Sequence, residues 1–302
     1  MKRAALLCLA LLCLPAAARA YDPAALAADS AAFLDAENHM HRDLSTAAAA
    51  LRRSQPLLAP VEAPTFSADL SLGQILAPGF SYRNLLQGRG PFESQAGSGA
   101  ASWALAPSAG GAIAFRGGAS FTLNASLLPT LNTGGTERSL FRIGGSGYWR
   151  ILPERFYSIG LLAGGGATYV HGTEARGIDA SFLDGTTPTA FSGRLDSAWD
   201  TGILDLELFV HKTFFILNFY SRANLCLVLG SSSSTLSGLR VAGAQVPGAA
   251  AEYSSTLSSP ALGLVLAGGL ELILGELKLA AEAGRDWLSG SLYGSVAVRY
   301  GM

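Results

Sequence analysis

From Phe66 to Tyr300, apolar residues occupy every second position in segment after segment. Between Phe215 and Leu229 one parity carries Phe215, Leu217, Phe219, Ala223, Leu225, Leu227 and Leu229. The other carries Asn218, Tyr220, Arg222, Asn224 and Cys226. Leu204, Leu206, Leu208 and Val210 likewise oppose Thr201, Asp205 and Glu207. A period of two places the sets on opposite faces of a strand. Ten such strands are predicted, at about residues 66–77, 102–116, 119–129, 139–151, 155–170, 198–210, 213–229, 260–273, 276–284 and 290–300. Pro78 and Pro107 blur the edges of the first two, so the expected number spans 8–12. Short turns are expected at Gly117-Gly118, Leu152 to Glu154, His211-Lys212 and Leu274-Gly275. Longer connections alternate with them, at 78–101, 130–138, 171–197, 230–259 and, shorter, 285–289.

The first 64 residues read differently. Lys2 and Arg3, the apolar run Ala4 to Leu14, and Ala18-Arg19-Ala20 before Tyr21 have the layout of a secretory signal peptide cleaved after Ala20. Leu7 and Leu12, which precede Cys8 and Cys13, do not suit lipoprotein processing. In residues 22–55, Asp22 suits a helix cap with Pro23 at the first position, and Leu26, Phe33, Met40, Leu44 and Leu51 fall at helical spacing. One helix is expected, or two with a break near Asn38, ended by a connector containing Pro56, Pro60 and Pro64. The domain reading is therefore 1–20 leader, 21–64 helical segment and connector, and 65–302 barrel.

Composition narrows the class. Charged residues are 14% of the chain, against about 25% in average globular proteins. Losing Lys2, Arg3 and Arg19 with the leader takes the net charge from −1 to −4, and no clustered basic face suggests a nucleic-acid partner. Two of the three cysteines leave with the leader; Cys226 then reads as a small side chain facing a barrel interior. The rival for Leu262 to Ala281 is a membrane helix. Glu271, Glu276 and Lys278 interrupt it, and they fall on the polar parity of the strand reading.

On the leader, the dyad repeats, the glycine-rich strands and an aromatic residue near the end of the last strand, the chain resembles bacterial outer-membrane β-barrel proteins as a broad class. The resemblance implies an all-β, antiparallel transmembrane barrel in contact with outer-membrane lipid and assembled by the barrel-assembly machinery. In that class the final residue is commonly Phe or Trp; here Tyr300 is followed by Gly301 and Met302, a departure in the assembly signal. Short turns face the periplasm and long loops face outward in such barrels. An even strand number then puts both chain ends on the periplasmic side, with the helical segment periplasmic or inside the lumen.

The polar parity sets Arg142, Arg150, Asp205, Glu207, Arg222, Glu271, Lys278, Glu282 and Arg299 toward the lumen. Four acids facing five bases fit two readings. One is an internal salt-bridge network that closes a small barrel; the other is a solute path lined by mixed charge. His39-x-His41 lacks the i, i+4 spacing that joins two imidazoles on a metal, and Gly164-Gly165-Gly166 lacks the lysine and serine of a phosphate loop. No cofactor or metal is expected. Trp103, Trp149, Trp199 and Trp287, with Tyr157, Tyr169 and Tyr300, lie near strand ends, where interfacial girdles place aromatic residues. The leading functional expectation is a narrow or plugged pathway for small solutes, apolar ones included. The alternative is a non-transporting structural or surface-interaction barrel with a closed, salt-bridged lumen. A barrel-embedded hydrolase rests on His171 with Asp179 and Asp184 alone, and the chain is otherwise read as a non-enzyme.

Overall fold

The computed structural model describes residues 22–50, 65–76, 86–87, 90–97, 102–133, 135–184 and 187–301. The leader and the proline-rich connector lie outside these residues. The strands are β1 (Thr65–Leu76), β2 (Ser102–Ala114), β3 (Ala119–Thr133), β4 (Thr136–Leu152), β5 (Gly160–Asp184), β6 (Thr187–Phe214) and β7 (Leu217–Val241). They continue with β8 (Glu252–Leu257), β9 (Ala261–Leu274), β10 (Leu277–Asp286) and β11 (Leu292–Gly301). Neighbours pair antiparallel in chain order, and β1 closes on β11 from Ser67–Gly301 to Leu76–Leu292. β8 and β9 hold a single register on β7, Ser232 opposite Leu257 and Val228 opposite Ala261. They are two halves of one ring strand, parted at Pro260, which has no N–H to offer the ladder. The ring therefore has ten strands, within the expected range. The segment weighed as a membrane helix is the β9–β10 hairpin.

Four tight turns lie at one end. Phe115–Gly118 bends on two glycines with φ of +99° and +92°, a region a Cβ disfavours. The next hairpin turns at Phe215-Ile216 rather than at His211-Lys212, and the last at Gly275-Glu276 rather than at Leu274-Gly275. β5 begins at Gly160 rather than at residue 155, because Pro153 to Ile159 form the turn.

At the other end, most of three expected loops is strand. β5 and β6 pair from Gly160–His211 up to Asp184–Thr187, so the segment 171–197 is an extended hairpin. β7 continues to Val241 with β8 beside it, and β3 and β4 pair as far as Thr133–Thr136. The reason lies in the side chains. On the lower part of β6 the outward residues Leu204, Leu206 and Leu208 are exposed and the inward Asp205 and Glu207 are buried. Higher on the same strand, with no change of parity, Leu195 and Trp199 point inward and Arg194, Asp196 and Asp200 point outward. The apolar face thus crosses from outside to inside near Thr201. An apolar exterior over a polar interior is what lipid demands, and the reverse is what water demands. The chain is therefore a membrane-spanning barrel with a water-exposed sheet rising above one side of it.

Inside stands one unbroken helix, α1 (Pro23–Ala50). The Asp22 carboxylate accepts from the Ala24 N–H at 3.1 Å and caps its start. Pro23 lies beside Gly248 in the connection after β7, at the long-hairpin end. Ala50 lies against Arg222, well down the barrel. The expectation that both ends share the short-turn side is corrected: β1 starts and β11 ends there, while α1 begins at the opposite end. A helix preceding the first strand adds one more crossing of the lumen.

Candidate functional site

The upper half of α1 is apolar and meets the inverted face of the projecting sheet. Leu26, Phe33 and Leu34 are fully buried in one cluster with Ile178, Leu195 and Leu236. Phe33 stacks on Phe92 of the 3-10 helix Gly90–Gly97 at 4.6 Å, and Phe92 meets Phe191 edge-on at 5.1 Å. This core fills the space between α1 and the projecting sheet.

Midway down, the contacts turn polar and specific. The Glu37 carboxylate accepts from Arg176 at 2.6 Å. Asn38 accepts from the Ser232 and Ser234 hydroxyls, both at 2.9 Å, and donates to the Ser255 carbonyl at 3.1 Å. One side chain thereby ties α1 to both β7 and β8. His41 stacks on Trp199 at 4.3 Å between ring centres and lies 4.0 Å from Glu174, which also pairs with Arg138 and Arg176, each at 3.3 Å. The Trp199 indole lies over Gly172, where a Cβ would overlap its ring.

The last turn of α1, Ala47 to Ala50, is buried throughout. Two arginines of the wall reach it: Arg142 donates to the Ala48 carbonyl at 2.9 Å, and Arg222 donates to that of Ala50. Thr46 packs where a Cβ on Gly263 would stand, so the wall is shaved to admit the helix.

Of the nine residues assigned to the lumen, Arg142, Asp205, Glu207, Arg222, Glu271, Glu282 and Arg299 are buried in the interior, and Arg150 and Lys278 are half-buried. Arg222 gathers several of them, with Glu282 at 2.5 Å, Glu207 at 3.8 Å and the Tyr293 hydroxyl at 2.9 Å. Glu271 lies 3.6 Å from Lys278 on the neighbouring strand, and Arg299 stands opposite Asp69 in the closing pair.

Trp199 is not a girdle residue but a buried part of the plug contact, since its parity is that of Asp205 and Glu207. Trp149, Trp287, Tyr157, Tyr169 and Tyr300 are exposed; the side chain of Trp103 is outside the described residues. His171 pairs with Asp200 at 2.9 Å, and Tyr169 donates to the same carboxylate; Asp179 stands eight residues further along β5, and the side chain of Asp184 is outside the described residues. His171, Asp200 and Tyr169 face outward from the wall. Glu37, Asn38, His41, Glu174 and Arg176 were not assigned by the sequence reading. The available signal was polar residues inside an otherwise alanine-rich helix, with an alternating Glu174 and Arg176 in a segment read as loop.

Among the described residues, no helix is long and apolar enough to cross a membrane. No protein-family model matches the chain, and no curated protein does. Solved structures resemble it at low identity. The outer membrane protease OmpT from Escherichia coli is 12% identical over 82% of this chain and 99% of its own, with a TM-score of 0.39. The translocator domain of the autotransporter NalP from Neisseria meningitidis is also 12% identical, over 94% and 99%, at 0.31. The Pseudomonas putida toluene transporter TodX is 8% identical over 80% and 90%, again at 0.31. The architecture of this chain, a closed antiparallel ring of ten strands with an apolar exterior, is that of bacterial outer-membrane β-barrels.

Proposed function

We propose that the protein is an integral outer-membrane barrel forming a plugged pathway for small solutes, with α1 as the plug. The observation that carries this reading is the division of the lumen by height. The outer half is filled by a helix that hydrogen bonds and packing hold to the wall. Nearer the tight turns, the wall turns Asp205, Glu207, Arg222, Glu282 and Arg299 inward. A barrel needed only as a scaffold could fill its interior from its own strands. A separate helix held by reversible contacts is an element that can leave. Export through a leader cleaved after Ala20 and insertion by the barrel-assembly machinery complete the reading; N-terminal sequencing of protein recovered from outer membranes should then begin at Tyr21.

Planar-bilayer conductance tests the plug. Cysteines at Thr46 and Gly263, in a Cys226→Ser background, join α1 to the wall. The oxidised barrel should be silent, the reduced one should open intermittently, and a variant lacking residues 22–50 should conduct steadily. If that last variant, shown folded by heat-modifiable gel migration, carries no current, the pathway reading is wrong and the closed structural barrel takes its place.

A further inference from the structure

Among the described residues, the wall has an unpaired seam. β2 and β3 pair from Ala114–Ser120 up to Ser108–Ser126, and among the described residues the ladder ends there. Both strands continue: β2 runs on to Ser102, paired with β1 alone, and β3 to Thr133, paired with β4 alone. A proline sits on each lip, Pro107 and Pro129, and neither can donate to a ladder. β3 is also bulged between Leu128 and Leu131, which turns its edge toward β4. The Ser126 hydroxyl donates to the Pro107 carbonyl at 2.8 Å and closes the bottom of the seam. Six residues of β2 remain free above it, a slit about 20 Å long at roughly 3.3 Å per residue.

The seam begins eight residues above the Phe115–Gly118 turn, and a membrane strand needs about 9–11 residues to cross. It therefore opens within the outer leaflet and rises past it. Unpaired backbone at membrane depth is tolerated only where it borders a cavity or is covered by protein, so its place in the wall is a built feature. Above Ser126 and the Arg142 opposite it, leucines stand on both sides of the seam. Leu127 on the outer lip is exposed to lipid, while Leu128, Leu140 and Ile75 just inside belong to the buried cluster that receives α1. Asp205, Glu207 and Arg222 stand on other strands, β6 and β7.

We propose that this seam is a lateral port through which an apolar, uncharged small molecule passes between the outer leaflet and the lumen. The proposal rests on the plugged-pathway reading and adds to it a solute class and a direction of exchange. Arg142, opposite Ser126 at the foot of the seam, is held by the Ala48 carbonyl, and Arg138 by Glu174; along Leu127, Leu128 and Leu140 a hydrocarbon-like solute keeps apolar contact.

Two measurements test it in proteoliposomes of the full mature chain carrying Cys226→Ser. First, a maleimide tethered within a phospholipid acyl chain should label Leu128→Cys, which faces the lumen, at least tenfold faster than Thr122→Cys, which faces the lumen behind the paired ladder. Equal rates would overturn the port. Second, Pro107→Cys with Leu127→Cys extends the closed ladder by a disulfide. Oxidation should abolish the Leu128→Cys labelling and cut transfer of the uncharged dye N-phenyl-1-naphthylamine at least tenfold in a barrel lacking residues 22–50. Salt conductance should persist. A barrel that passes salt but whose dye transfer ignores the lock overturns the port alone, and one that passes neither overturns the pathway reading with it.

Discussion

Replacing Arg176 with methionine should release the plug while leaving the barrel folded. The guanidinium lies 2.6 Å from the Glu37 carboxylate on α1 and 3.3 Å from Glu174 on its own strand, and all three groups are buried. Methionine keeps much of the volume and removes the charge, so Glu37 must be desolvated without its cation whenever α1 is seated. Losing one partner of a buried pair costs about 3–5 kcal/mol. At roughly 1.4 kcal/mol per decade, the seated fraction relative to the released one should fall by about two to three orders of magnitude. β5 keeps its ladders to β4 and β6, so the barrel itself should still migrate as a heat-modifiable species. Hydrogen exchange of the α1 amides, followed by mass spectrometry on detergent-solubilised protein, reads the seating directly. Arg194→Met is the control: it removes the Arg194–Asp196 pair, whose side chains are 62% and 45% exposed, and such pairs contribute about 0–1 kcal/mol. If α1 exchanges within threefold of the parent rate in Arg176→Met, the ion pair does not hold the plug.

Gly172→Val should displace Trp199 and with it the His41 stack, seen as a red-shifted tryptophan emission and faster exchange of α1. Burial raises the Asp43 carboxyl on α1 to about 7, opposed by Arg42 and reinforced by Asp286. The docked helix therefore favours the protonated form: seating is strongest below the ordinary carboxylate range and weakens as pH rises toward 7. Opening frequency in bilayers should rise from pH 5 to pH 8, and Asp43→Asn should flatten that slope. Leu206→Arg, on the lipid face with 68% exposure, should cost about 2–4 kcal/mol of folding free energy in bilayers. Ser233→Arg, outward on β7 above the inversion, should stay within about 0.5 kcal/mol; urea titration into lipid vesicles compares the two.

The membrane band was legible in the sequence because lipid and lumen impose opposite demands on adjacent residues. Leu204 to Leu208 and Phe219 to Leu229 alternate for that reason. The projecting hairpins were not, because the apolar face changes sides there. Ser231 to Ser234 and Thr173 to Gly177 place small or polar residues on both parities, so a continuous strand looks like a break followed by a loop. The turn expected at His211-Lys212 slipped to Phe215-Ile216, where no glycine marks it: Phe215 takes a positive φ of 53° without one. Parity alone proposed the inward residues of the lower barrel. It could not find Glu37, Asn38 or His41, whose partners lie more than a hundred positions away. Nor could it find the seam, since a proline near a strand end reads first as a frayed edge.

The direction of α1 has a topological consequence. Ten strands alone return the chain to the side it started from, but the helix makes the number of crossings odd. Asp22 and Gly301 therefore lie on opposite sides of the membrane. Asp22 lies beside the projecting hairpins, whereas the end of β11 lies with the tight turns. Epitopes placed at the two ends would report two different compartments from one chain, and the movement of the plug could be followed from the outer one without touching the barrel wall.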